Sequence, residues 1–405
     1  MQNTPQSMHL QIAIAGKVNS GKSTFLNKLS GQEISITSPL PGTTTDVVKK
    51  AMELRPLGPV LFLDTAGLAD ETALGGARTE KSLKALDRAD MLLLVTTADS
   101  WGTCEEKLLA LAQERHIPVL TVVNKCDEES PSPEFCTMLQ EKCKNPPLAI
   151  SALNQSREEI LKALTPLLLA AVPEEFVTPP PMVGDLIAPG STVVLLVPID
   201  IQAPKGRLIL PQVQALREIL DAGCTAVVCK TDDYCNTLAN MKTPPRLIVC
   251  DSQVVDFMVQ NTPAEIPCTT FSILLSRIKG DLELFARGAE KISALKPGDK
   301  VLIAEGCTHH AGDDDIGRVK IPRMLEKKAG GPMEFTVYSG HDFPENLSEY
   351  ALILHCGGCM LNRREVLRRL ETAQSAGIPV VNYGMAISFC KGVLERVLEP
   401  FKNKA

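Results

Sequence analysis

Apolar and polar positions alternate in blocks along the first 170 residues. Short apolar runs at Leu10 to Ala15, Val60 to Leu63, Met91 to Val95, Val119 to Val123 and Leu148 to Ile150 are separated by longer stretches with helical spacing. Unbroken apolar runs of this length predict strands buried on both faces, and their repetition with helices predicts a mostly parallel sheet. The rhythm stops at Val172 to Pro181, where four prolines in ten residues block helix continuation and favour an extended spacer. Beyond it, Thr192 to Val197, Ala226 to Cys229 and Arg246 to Cys250 read as buried strands, with helices at Gln212 to Ala222 and Gln253 to Gln260. A softer boundary with two prolines lies around Asn261 to Cys268. A third α/β rhythm follows, with a helix over Ser272 to Arg287 and strands at Lys300 to Ala304, Glu334 to Tyr338, Tyr350 to Leu354 and Val380 to Asn382. The fold class is therefore α/β, in three domains spanning 1–172, 182–264 and 265–405. No fixed short repeat and no low-complexity tract interrupts them.

Composition narrows the function classes. The chain has 405 residues, enough for several domains with their own cores. A net charge of −6 gives it no broad positive field of the kind that non-specific nucleic-acid binding uses. Thirteen cysteines, an odd number, do not tile the chain as a disulfide scaffold would, and the first residues lack a basic-then-apolar signal segment. Reduced thiols in the cytoplasm are expected. The longest near-apolar run, Ile160 to Val172, falls short of a membrane span, so no transmembrane segment is expected.

The first domain carries nucleotide chemistry. After the run ending at Ala15 comes Gly16-Lys17-Val18-Asn19-Ser20-Gly21-Lys22-Ser23, followed by helical Thr24 to Leu29. This is G-x-x-x-x-G-K-[ST] in its strand-loop-helix setting. Its glycines let backbone N–H groups surround phosphates, Lys22 brings positive charge to the β/γ oxygens, and Ser23 offers a hydroxyl to magnesium. Asp64-Thr65-Ala66-Gly67 follows a second strand and supplies a carboxylate for hydrated magnesium and a glycine amide for the γ-phosphate. Asn124-Lys125-Cys126-Asp127 follows a third strand; the Asp127 carboxylate can accept both N1–H and the N2 amino group of guanine, a donor pair that adenine lacks. Ser151-Ala152 follows a fourth, where it suits a loop facing guanine O6.

Pro41-Gly42-Thr43-Thr44-Thr45-Asp46, together with Asn19, resembles the TrmE, Era and EngA branch of translation-factor-class GTPases. The resemblance implies that Thr44 is the switch threonine at magnesium. Leu68 stands where Ras-like enzymes place a water-positioning glutamine, which predicts slow basal hydrolysis. In that branch an asparagine at the position of Asn19 binds potassium, so the resemblance implies potassium-stimulated turnover; tolerance of a left-handed loop conformation is the other reading of Asn19.

The last domain concentrates metal-binding residue types. His309, His310, His341 and His355 fall between residues 307 and 359 together with Cys307, Cys356 and Cys359. Cys307-Thr308-His309 follows one predicted strand, and His355-Cys356-Gly357-Gly358-Cys359 follows another. Parallel strands would bring both clusters to one end of one sheet, where open α/β folds place ligands. Spacing alone leaves two readings open, a closed tetrahedral zinc site and a four-iron four-sulfur cluster on three cysteines with a weaker fourth ligand. The other ten cysteines, scattered singly, read as small apolar fillers.

A TrmE-like GTPase domain, a middle α/β segment and a terminal Cys-x-His with a distant His-Cys-x-x-Cys together resemble the HydF family, the maturation GTPases of iron-iron hydrogenases. That resemblance covers all three domains. It implies that Cys307, Cys356 and Cys359 hold a four-iron four-sulfur cluster, with His309 and His355 as the histidines of the motif. It further implies a homodimer formed through the middle domain, and a scaffold or carrier that takes a diiron subcluster from two radical-SAM partners, HydE and HydG. The cargo would pass to apo iron-iron hydrogenase, with neither nucleic acid nor membrane as partner. For the fourth iron site, His309, His355 and Asp314 are candidates. Asp313 to Asp315 also suit a helix N-cap. Arg318, Lys320 and Arg323 offer positive charge for an anionic cargo. The strand near Thr192 is a candidate for pairing across a two-fold axis. A reading of a different class is an RNA-modifying or ribosome-associated GTPase with a structural zinc. The low aromatic content of 4% counts against it.

Overall fold

The apolar runs of the first 170 residues become strands of one sheet. In a computed structural model, which describes residues 5–31, 48–65, 83, 85–199, 208–306, 315–344 and 346–402, the chain forms two units, 1–179 and 180–405. The first unit holds β1 (Leu10–Ala15), β2 (Val48–Leu54), β3 (Gly58–Asp64), β4 (Met91–Thr97), β5 (Val119–Asn124) and β6 (Leu148–Ala149), in spatial order β2-β3-β1-β4-β5-β6. All pairings are parallel except the edge strand β2, which runs antiparallel to β3. Its sequence, VKKAMEL, is broken by two lysines and a glutamate, so it lacks the continuous apolar run that marks the other five.

Helix Arg157–Ala171 shows how the layers are held. Ser156 accepts the Glu159 N–H at 3.2 Å while the Glu159 carboxylate accepts the Ser156 N–H at 2.8 Å, a reciprocal cap. Ile160, Leu164 and Leu168, four residues apart, are buried in one cluster with Leu10, Ile12, Phe25 and Phe62. At about 1.5–3 kcal/mol per buried aliphatic side chain, this stripe rather than helix propensity fixes the helix on the sheet. Among the described residues no helix is long and apolar enough to cross a membrane.

The second unit contains two four-stranded sheets, both wholly parallel. One comprises β7 (Thr192–Leu196), β8 (Thr225–Cys229), β9 (Leu247–Cys250) and β10 (Cys268–Thr270), in order β10-β9-β7-β8. The other comprises β11 (Lys300–Ala304), β12 (Glu334–Tyr338), β13 (Leu352–His355) and β14 (Val380–Asn382), in order β12-β11-β13-β14. A contiguous apolar cluster runs from Val194, Leu196 and Ile248 through Phe285 to Leu302, Ile353 and Val381. Both sheets thus share core within one unit.

Three details differ from the sequence reading. Strand β10 pairs with β9, so the middle sheet extends past residue 264. The single helix expected over Ser272 to Arg287 is two, Phe271–Lys279 and Leu282–Glu290. Between them Asp281 caps the second by accepting the Leu284 N–H at 2.8 Å, and a Cβ on Gly280 would stand 2.6 Å from the Phe285 ring. Strand β7 lies between β8 and β9 and has no open edge, so it cannot pair across a two-fold axis. The sheet's edges are β10 and β8, and β8 exposes Val228 at 45%.

Just beyond the proline-rich spacer, the Glu218 carboxylate accepts three backbone N–H groups, from Met182 at 3.0 Å, Val183 at 3.2 Å and Gly184 at 2.8 Å. Glu218→Ala leaves these donors without that partner and is expected to destabilise the second unit by about 1–3 kcal/mol in urea unfolding, with Glu218→Gln losing less. Equal stability of both variants and the parent chain would contradict this anchoring role.

Candidate nucleotide and metal sites

In the first unit, the ends of β1, β3, β5 and β6 bring the nucleotide motifs together. The phosphate loop leaves β1 with Asn19 at φ 66° and Gly21 at φ 85°, then enters helix Lys22–Ser30. A Cβ on Gly21 would lie 2.2 Å from the Asn124 side-chain nitrogen, so only glycine fits. Lys22 is buried, and its Nζ donates to the carbonyls of Gly16 at 2.8 Å and Lys17 at 2.6 Å. Burial lowers its pKa, which Asp64 partly opposes. Gly16 and Ser20 are buried, whereas Asn19, Ser23 and Thr24 face solvent at the mouth of the loop.

Asp64, the last residue of β3, is buried, and its Oδ1 has no hydrogen-bond partner. Burial raises its pKa while Lys22 and Lys50 pull it down. A buried carboxylate oxygen with open valence beside the phosphate-loop lysine suits hydrated magnesium. Asn124 joins two loops: its Nδ2 donates to the Ser20 carbonyl at 3.0 Å and its Oδ1 accepts the Ala152 N–H at 3.0 Å. Lys125 takes a left-handed φ of 63°, after which the Cys126 N–H bonds the Ile150 carbonyl and Asp127 is exposed. Ser151 Oγ accepts the Asn154 N–H at 3.1 Å and shapes the last loop. A cavity of about 330 Å³, lined by Asn19, Ser20, Thr97 and Lys125 among others, opens beside the phosphate loop. Thr44, Gly67 and Leu68 lie outside the described residues.

In the second unit, β11 and β13 are parallel neighbours in the register Ala304 to His355, so the segments following them start side by side. The Cys356 N–H bonds the Ala304 carbonyl at 3.0 Å, and Cys356 Sγ accepts N–H groups from Gly306 at 3.0 Å and Gly358 at 3.3 Å. Gly358 takes φ 65°, which curls the chain between the two cysteines. Burial pushes the Cys356 thiol up to about 11, and the two N–H donors pull it down. Burial also raises Cys359, which Lys279 opposes.

His355 is buried, and its Nδ1 donates to the Cys356 carbonyl at 2.7 Å, which fixes the tautomer and leaves Nε2 as an acceptor with no partner. Burial drives its pKa down to about 4, so the ring is neutral at pH 7. Among the described residues no group of three His, Cys, Asp or Glu side chains stands close enough to hold a metal ion, so His355 does not join the two thiols in such a group. Cys307, His309, His310, Asp313 and Asp314 lie outside the described residues. The sulfur at Cys356, already ringed by N–H donors and adjoining the residue before Cys307, fits a metal-bound thiolate.

Other charged candidates have structural partners. Asp315 caps the following turn by accepting the Arg318 N–H at 2.8 Å, and Arg318 pairs with buried Glu305 at 2.7 Å. Lys320 donates to Gln253 at 3.0 Å, and Arg323 is exposed. Sequence reasoning missed Glu305, Lys279, Glu365 and Arg369, all buried at this end of the sheet. A visible signal existed for Arg369, which falls on the apolar stripe Val366, Leu370, Ala373 of helix Arg363–Ser375.

Family profiles match most of the chain. Residues 182–280 match the Hydrogen maturase F dimerization domain and residues 283–400 the Hydrogen maturase F tetramerization domain. Residues 11–125 match the 50S ribosome-binding GTPase family. The first unit thus carries a GTPase domain, which implies binding of GTP and Mg2+. The chain is also similar to the tRNA modification GTPase MnmE of Nitrosomonas europaea, 34% identical over 158 residues, or 38% of this chain and 33% of that protein. MnmE of Prochlorococcus marinus is 40% identical over 122 residues, 29% of this chain and 25% of that one. The chain spans a third or less of the length of these relatives. Solved structures include Era of Aquifex aeolicus, 18% identical with a TM-score of 0.35, covering 91% of this chain and 98% of that chain. The G domain of the T. maritima FeoB iron transporter is 20% identical with a TM-score of 0.30, covering 38% of this chain and 94% of that chain.

Because a methyl group at residue 21 would strike Asn124, Gly21→Ala displaces the strut between the two loops. Its expected effect is a loss of guanine-nucleotide affinity of at least about tenfold, some 1.4 kcal/mol, in a fluorescent GDP titration. Unchanged affinity would contradict the placement of Asn124 in the site.

Proposed function

The chain belongs to the hydrogen maturase F family, and from that premise we propose that it is a GTP-hydrolysing scaffold and carrier for the diiron subcluster of iron-iron hydrogenase. The observation that carries this reading is the succession, in one chain, of a GTPase domain and two hydrogen maturase F self-association domains. The likeness to tRNA modification GTPases covers only about two fifths of the chain or less.

In this reading the first domain, 1–172, binds Mg-GTP. Gly16, Asn19, Ser20, Gly21, Lys22, Ser23 and Thr24 surround the phosphates, with Ser23, Thr44 and Asp64 at magnesium and Gly67 at the γ-phosphate. Asn124, Lys125, Asp127, Ser151 and Ala152 select guanine. Asn19 takes a potassium ion, and turnover is slow because Leu68 cannot orient water. The left-handed Asn19, exposed at the mouth of the loop, is compatible with a monovalent cation there. The middle domain, 182–264 with β10 added, joins two copies, and among the described residues β8 and β10 are the edge strands of its sheet.

The last domain, 265–405, uses Cys307, Cys356 and Cys359 as cluster ligands. The two N–H donors on the Cys356 sulfur support a thiolate there. His309, His355 or Asp314 supplies the fourth position, and the His355 Nδ1 bond to the Cys356 carbonyl leaves its Nε2 open. A four-iron four-sulfur cluster in this place would supply a point to which incoming cargo can bind. The diiron unit comes from HydE and HydG and leaves for apo-hydrogenase, in the cytoplasm; this chain lacks a Cys-x3-Cys-x2-Cys radical-SAM motif of its own. GTP hydrolysis governs exchange of these partners.

Anaerobic purification tests the reading. The expected product is brown, with about four irons per chain. Cys356→Ser is expected to lose the cluster and keep GTP hydrolysis, while Lys22→Ala loses hydrolysis and keeps the iron. Colourless protein with one zinc per chain would overturn the cluster assignment. Phosphate release is expected to be faster in potassium than in sodium chloride at equal ionic strength, and equal rates would remove potassium from Asn19.

A further inference from the structure

Of the histidines between residues 307 and 359 the structure describes two, and only His341 has no part in the cluster reading. Its side chain is 42% exposed, yet its Nδ1 is held by the Glu365 carboxylate, with Oε1 at 2.9 Å and Oε2 at 3.0 Å. A carboxylate only accepts, so the ring proton sits on Nδ1 and Nε2 is the nitrogen left for another partner. Among the described residues no hydrogen bond engages that Nε2.

The groups behind the ring are buried. Glu365 lies in the first turn of helix Arg363–Ser375 and is 7% exposed. Arg369, one turn further along and 4% exposed, donates from Nη2 to Glu365 at 3.3 Å and to the carbonyl of Gly340, the residue before His341, at 2.7 Å. Its guanidinium lies 5.3 Å from the Phe343 ring centroid. One buried ion pair thus fixes both the ring of His341 and the backbone beside it. An ordinary surface pair of histidine and glutamate needs no such support, whereas burying a charged pair is costly. A carboxylate behind an imidazole is the outer shell that metal-binding histidines carry, because it sets the tautomer and makes the other nitrogen a stronger donor.

His341 stands at the same end of the sheet as Cys356, three residues past β12. The Tyr338 carbonyl that ends β12 accepts the Glu305 N–H at 2.8 Å, and the next residue, Gly306, donates its N–H to the Cys356 sulfur at 3.0 Å. Only β11 separates β12 from β13, so the ends of those two strands lie about 10 Å apart. A bare ion would need several protein ligands, and among the described residues none gather here. A metal unit that arrives with ligands of its own needs only one. We propose that His341 Nε2 is the nitrogen ligand through which the last domain holds an iron of its cargo, with Glu365 and Arg369 as positioning residues. The Nε2 lone pair forms an Fe–N bond as one ligand of the incoming unit departs with its own electron pair. No electron is transferred, and the Nδ1 proton stays in its hydrogen bond to Glu365. This role rests on the carrier function proposed above.

The test uses full-length protein purified anaerobically from cells that also make HydE and HydG, with iron counted against protein. Parent protein is expected to carry about six irons per chain, the cluster's four and two of cargo. His341→Gly is expected to keep the cluster irons and lose the cargo irons, and imidazole added to the cells and buffers to restore them. Glu365→Gln is expected to release cargo iron to a chelator at least about tenfold more readily. If His341→Gly fails to fold, the iron count of His341→Gln decides the matter. Loss that imidazole does not repair would assign His341 a structural role and overturn the inference. His341 variants with the parent's full iron would also overturn it and leave the proposed function standing. Parent protein that never exceeds the cluster's iron would overturn both.

Discussion

The parallel pairing of β11 with β13, in the register that sets Ala304 against His355, is the constraint on which the second unit's chemistry depends. It places the Gly306 N–H on the Cys356 sulfur and so brings the chain entering Cys307 to the chain carrying Cys356 and Cys359. A slip by one residue would turn Cys356 to the other face of the sheet and exchange its place with His355. The register is held by apolar strands buried along their length, Val301 to Ala304 and Leu352 to Leu354, within the core that both sheets share. Packing energy from aliphatic burial is thereby converted into the position of one sulfur.

The first unit solves a similar problem with a polar strut. Asn124 spans from the Ser20 carbonyl to the Ala152 N–H, so the loop for phosphate and the loop for the base are set by one amide side chain. Its net worth as two buried hydrogen bonds is about 1–3 kcal/mol, small against the core, yet it ties the phosphate loop directly to the base loop. The left-handed residues Asn19, Gly21 and Lys125 cluster at these same loops, where backbone must turn sharply to present N–H groups and carbonyls.

Much of this was legible in the sequence, for identifiable reasons. Doubly buried parallel strands write themselves as continuous apolar runs, which is why β1, β3, β4, β5, β11 and β13 were readable, whereas β2 at the edge, with Lys49 and Lys50, was not. The division of the helix near Gly280 depends on the Phe285 ring and an Asp281 cap, long-range and local facts that periodicity alone does not separate. The central place of β7 follows from strand order, which no residue pattern states. In the GTPase domain, motif residues were visible because phosphate chemistry restricts residue type and spacing. Arg369, Lys279 and Glu365 were not, because a buried charge is recognised by what surrounds it, and those partners lie up to 82 residues away along the chain.

The central claim is that this chain carries a metal cargo to an iron-iron hydrogenase. The most direct measurement is hydrogen evolution by apo-hydrogenase after incubation with this protein, purified anaerobically from cells that also make HydE and HydG. The account predicts activation that depends on this protein and on both maturases. Apo-hydrogenase left as inactive as in buffer alone, with the protein folded and its iron in place, would contradict it.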